Sequence, residues 1–175
     1  MSVRSIVEAQ LERLESHWHR LGAPVASMLA PGLSDQQMDD IVGPTPYVLN
    51  DELRAWWGWH DGVAPYTADR ERPYHRSIWR GNHQFPGLAH AVELTKPAIH
   101  DIGRELGPEW GERWGSWIIF LRQGSDYLAG PGPVNPQDPS EIMHYEAAAG
   151  LDQPLMYVSL SEMLATWLGA LLGGP

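Results

Sequence analysis

Three tryptophans within four residues, Trp56, Trp57 and Trp59, lie in a stretch already marked for helix formation, and any fold of this chain has to accommodate them. Asn50 is a good N-cap, and Asp51 and Glu52 set carboxylates against the positive end of a helix dipole. Leu53 and Trp57 share one helical face, and Trp56 and His60 a neighbouring one. Residues 50–62 are therefore expected to form a short helix with a broad aromatic surface, closed by Gly62 in the left-handed conformation. So many indoles could make a ligand-stacking box, but their large area suits a core better, and we read the segment as an anchor.

The flanking sequence supplies the other layers. Ser5 followed by Glu8 is a capping-box pattern, and Ile6, Val7, Leu11, Leu14, Trp18 and Leu21 recur at helical spacing, which predicts a first amphipathic helix to about Arg20. Gly22 and Pro24 stop it, and residues 22–33 read as a loop. Ser34 with Gln37 repeats the capping logic for a short helix through Met38 and Ile41, closed by Gly43 and Pro44. Residues 63–87 read as a long loop with at most a short strand near 77–79. Thr95 is expected to cap a further helix, with Pro97 in its first turn and Gly107 at its end. The apolar run at 117–121 predicts a central strand, residues 127–129 a hairpin return, and 141–145 and 155–158 two more strands. Ser159 with Glu162 opens a closing helix whose apolar face is Leu160, Met163, Leu164, Trp167, Leu168 and Leu171. Helices, then short antiparallel strands, then a helix describe an α+β domain.

At 175 residues the chain suits a single domain, residues 1–175, with a core of useful size. It has no cysteine, which excludes disulfides, thiolate metal sites and a cysteine nucleophile. With no N-terminal apolar run and no transmembrane segment, a cytoplasmic protein is expected. The net charge of -10 argues against direct nucleic-acid binding. All twelve basic residues lie at or before Arg122, whereas 123–175 carries Asp126, Asp138, Glu141, Glu146, Asp152 and Glu162. Such a surface attracts a basic partner and speeds the encounter.

The chemistry of catalysis is weakly represented. Of the eight histidines, His17 and His19 are two apart and diverge on a helix, and there is no His-Glu-x-x-His. His60 beside Asp61, and His144 near Glu146, bring imidazole and carboxylate together in sequence, but neighbours along a chain commonly point apart. No Gly-x-Ser-x-Gly elbow is present, and the Gly130 to Pro133 segment lacks the ending of a phosphate loop. The run from Arg70 to Arg80, with Tyr74, His75 and Trp79, interleaves bases and aromatics, but Asp69, Glu71 and the acidic whole favour a solvated loop or a protein-contact patch. No metal or other cofactor is expected, and no catalysis.

The Ser-led short helix, the proline-bearing link and the capped helix ending Trp57-x-x-His60-Asp61-Gly62 resemble the opening signature of the SMI1/KNR4 family, the SUKH superfamily. Residues 117–121, the turn at Gly124, the Asp126-Tyr127-Leu128 return, the strand through His144 and the Ser159 to Glu162 helix start are similar to the family's later elements, in its order. The resemblance covers residues 33–168, with 1–32 as an added N-terminal helix and loop. It implies an α+β domain that binds protein: in bacteria an immunity protein neutralising a cognate toxin, often a nuclease, and in fungi a cell-wall regulator. Read this way, the expected contact residues are Asp61, Asp69, Glu71, Trp79, Asp126, Asp138, Glu141 and Glu146, whose carboxylates would mimic a toxin's anionic substrate. A scaffold module that recognises a peptide through Tyr74 and Trp79 is the alternative. The sequence names neither the partner nor the oligomeric state.

Overall fold

A computed structural model gives the fold over residues 2–63, 84–109, 115–123, 125–130, 139–145 and 155–173. It is an α+β fold with helices leading, antiparallel strands following and a helix closing. Helix α1 (Val3–Leu21) ends at Gly22, whose φ of 64° is the left-handed cap expected there. Its start is one turn earlier than the Ser5 pattern implied. Ser2 is the cap, its Oγ accepting from the Ser5 amide at 3.1 Å, and Glu8 is drawn instead to Arg4 at 3.1 Å. Helix α2 (Asp35–Val42) carries the full predicted box between Ser34 and Gln37. Helix α3 (Asp51–Trp59) opens on Asn50, whose Oδ1 accepts from the Leu53 amide at 3.0 Å.

Two local readings are corrected by pairing over distance. Residues 22–33 are not all loop: a 3-10 turn (Pro24–Ser27) leads to strand β1 (Leu29–Pro31), which pairs antiparallel with β2 (His60–Val63). Helix α3 accordingly stops at Trp59, and His60 is extended at φ -149° rather than sharing a helical face with Trp56. Gly62 serves the strand, not a helix end. Its φ is 84°, and a Cβ there would sit 2.3 Å from the Gly87 nitrogen, so the close approach of β2 to the next helix needs glycine.

That next helix, α4 (Leu88–Leu106), begins well before Thr95. Its N-cap, Gly87, has no side chain to offer, and Asp61 does the work from β2, Oδ1 accepting from the Leu88 amide at 2.7 Å. Thr95 is mid-helix and buried; its hydroxyl donates to the Ala91 carbonyl at 2.6 Å and accepts from the Ile119 amide at 2.9 Å. Pro97 consequently lies inside the helix, not in a first turn.

The main sheet is an antiparallel meander of β3 (Ile118–Gln123), β4 (Ser125–Ala129), β5 (Ile142–Tyr145) and β6 (Leu155–Tyr157), in that spatial order. The apolar run expected to be a central strand is thus terminal among the described strands. Its composition reflects cover, since Ile118, Ile119, Phe120 and Leu121 are all buried and Thr95 of α4 takes one of its amides. Helix α5 (Leu160–Leu172) follows from Ser159, whose Oγ accepts from the Glu162 amide at 2.9 Å. One hydrophobic cluster joins α1, α2, α3, α4, β3, β5 and α5. Trp56 and Trp57 are at its centre and wholly buried, with Trp56 4.8 Å from Phe85 and edge-on to Phe120 at 5.4 Å, centroid to centroid. The strand expected near 77–79 and the proline-glycine loop at 131–138 lie outside the described residues. Among the described residues no helix is long and apolar enough to cross a membrane.

Candidate functional site

The meander brings the Lys- and Arg-free part of the chain together. Strands β4, β5 and β6 are successive neighbours, and α5 packs back onto β6, α1 and α3, so the segments described from 125 onward form one connected region. Within it Glu141 is exposed beside β5, Glu162 is exposed on the first turn of α5, and Asp126 pairs in register with Arg122 on one side and Tyr145 on the other. Met156 and Val158, 40% and 58% exposed, add apolar area beside these acids. Asp61 is not part of this surface: its carboxylate holds the start of α4, a structural duty. Asp69, Glu71, Trp79, Asp138 and Glu146 lie outside the described residues.

Some acids elsewhere are paired with cations. Arg4 reaches both oxygens of Asp35 at 3.1 and 3.0 Å, and Arg54 reaches Asp39 at 2.6 Å and Asp35 at 3.6 Å, which laces α1, α2 and α3 together. The hydrogen bond from Arg4 holds the Asp35 carboxyl below its ordinary range, and the same bond raises the Arg4 guanidinium. The face around α2 therefore carries less free negative charge than its sequence suggests.

The most consequential carboxylate is Glu52. It is 1% exposed, and its oxygens accept from the amides of Ser140 at 2.7 Å, Leu160 at 3.1 Å and Ser161 at 3.0 Å. With Ser159 taking the Glu162 amide by its hydroxyl and the Met163 amide by its carbonyl, each free amide of the first turn of α5 is satisfied. In sequence Glu52 reads only as a first-turn acid; nothing local marks it as the buried pin between two helices and the approach to β5. Its role depends on pairs 88 and 109 positions apart.

Among the described residues the histidines lie on several elements, with His19 and His60 both reaching Glu15. His17 is buried against Arg20, His90 faces Glu93, and His144 is half-buried on β5. His60 turns away from Asp61, its sequence neighbour, and contacts Glu15 of α1 and the Ala30 carbonyl of β1. Among the described residues no group of three or more His, Asp or Glu side chains is placed to hold a metal ion. Compared with known proteins, the chain matches no family model and no curated protein.

Proposed function

We propose that the chain is a non-catalytic protein-binding domain of the SMI1/KNR4 type, and specifically a cytoplasmic immunity protein that neutralises a basic toxin, such as a nuclease, by direct contact. The observation that carries this reading is the continuous region built from β4, β5, β6 and α5, in a stretch of 53 residues without lysine or arginine and with six acids, Asp126, Asp138, Glu141, Glu146, Asp152 and Glu162. Clustered carboxylates attract a cationic surface over a distance of several ångströms and penalise acidic competitors. The resemblance in sequence, from the Ser34-capped helix through the tryptophan helix to the Ser159-capped helix, supports the family reading. Contacts are assigned to the acids of residues 123–175 and to Asp69, Glu71 and Trp79.

The test is capture from native lysate on the immobilised chain at low and high salt, with the bound protein identified and assayed. One basic protein, encoded beside this one, released by salt and inhibited in its own activity by the complex, is the expected result. Capture of an acidic protein indifferent to salt would replace this reading with a scaffold that recognises its partner through aromatic contacts. Capture of no protein at either salt would overturn both.

A further inference from the structure

Away from the acidic region, His60 makes a contact that its charge state controls. Its Nδ1 is 2.8 Å from the Ala30 carbonyl oxygen and its Nε2 is 3.3 Å from Glu15 Oε2, so both ring nitrogens face acceptors. A neutral imidazole has one N–H and can donate to only one of these, leaving lone pair against lone pair at the other; a ring with both protons donates to both. Glu15 cannot simply swing aside, because Oε2 also accepts from the Trp59 indole at 2.8 Å. The side chains of His60 and Glu15 are 18% and 26% exposed, open to proton exchange yet shielded enough for charge to count.

We propose that His60 is a proton-operated latch, pinning α1 and β1 to the junction of α3 and β2 when its ring carries both protons and freeing one of the two when it loses one. Among the described residues the groups around it are Glu15 and His19 from α1, with His19 Nε2 3.5 Å from Glu15 Oε1, the Ala30 carbonyl from β1, and the Trp59 ring from α3 at 4.6 Å. Asp61, next along β2, is engaged with Leu88. Burial pushes the Glu15 carboxyl up, but the bonds from Trp59 and His60 outweigh it and leave the group below its ordinary value of 4.5. On the acid side the latch therefore opens only as the pH falls through that lowered value. On the alkaline side it opens as the imidazole gives up one of its two ring protons and can donate to only one of the two acceptors.

The test is NMR of the whole chain as a function of pH, following the His60 ring nitrogens, the Trp59 indole N–H and amide exchange at Leu29 and Ala30. In the wild type the Trp59 signal should move with the His60 midpoint, and protection in β1 should fall about fivefold beyond the intrinsic pH effect. Glu15→Gln keeps an acceptor for Trp59 without the charge and should uncouple Trp59 from His60. His19→Gln should leave the coupling intact. Deprotonation of His60 with no change at Trp59 or in β1, or unaltered coupling in Glu15→Gln, would overturn the latch. Both readouts exist in the wild type, so the outcome does not depend on a His60 variant folding.

Discussion

Replacing Glu52 with alanine leaves three amides, from Ser140, Leu160 and Ser161, without an acceptor in a region closed to water. The expected loss is about 3 to 5 kcal/mol, the range for breaking a buried charged network on one side. In a chain of this size that corresponds to a fall in Tm of roughly 10 °C or more, read by thermal or urea unfolding. Glu52→Gln keeps one acceptor oxygen but turns an NH2 toward the amides, and should lose about half as much. Asp51 and Glu52 have the same sequence signature, acids in a first helical turn, yet only Glu52 is buried; what separates them is the packing of α5, which no local pattern encodes. The ionic groups predict the acid limb of stability. Glu15 and Asp35 are both held below their ordinary ranges, so each contributes stability that is complete above the unfolded value and is lost as pH falls through the folded one. Asp35→Asn should therefore flatten the acid limb of a pH-stability curve and leave its slope near neutrality unchanged, the effect being small because the side chain is half exposed. Glu15→Gln should flatten the acid limb and also alter the dependence on the charge of His60.

At the level of elements, α2, α3 and α5 are legible from their own caps, α1 starts from Ser2 one turn before the pattern at Ser5, and the start of α4, capped from another segment, is not legible. Ser34, Asn50 and Ser159 mark α2, α3 and α5 in sequence, and the structure uses all three. Helix α4 borrows its cap from Asp61 on β2, so its start could not be read from residues near Leu88, and Thr95 was mistaken for a cap when its hydroxyl bridges α4 to β3. Thr95→Val tests that bridge. It preserves shape but leaves the Ile119 amide without its acceptor, and should cost about 1 to 3 kcal/mol with faster exchange at that amide. Strands β1 and β2 were missed because each exists only through the other. Two glycines distinguish conformation from contact. At Gly22, φ is 64° with open space around a Cβ, and Gly22→Ala should cost about 1 kcal/mol. At Gly62 a Cβ meets the Gly87 backbone, and Gly62→Ala should cost about 3 kcal/mol or more and loosen the joint between β2 and α4.

For the molecule as a whole, the α+β class and the order of layers follow from hydrophobic periodicity and turn residues, because those signals are local and strong. The tryptophan cluster is a core, as its density implied: Trp56 and Trp57 are wholly buried, and Trp59 stacks on Phe85 at 6.1 Å while bonding to Glu15. The proposed binding surface is legible only as a charge imbalance. Sequence could not tell which acids are occupied: Asp61 holds the Leu88 amide, and Asp35 and Asp39 are partly neutralised by Arg4 and Arg54. Glu141 beside β5 and Glu162 on α5 are exposed, and the central claim is that the acids of residues 123–175 recruit the partner. The direct measurement is calorimetric affinity for the captured partner across salt concentration, comparing the wild type with a chain in which Asp126, Asp138, Glu141 and Glu146 are changed to their amides. The account predicts binding weaker by about tenfold or more at low salt and a shallower dependence on salt. Equal affinity and an equal salt slope in the two chains would contradict it.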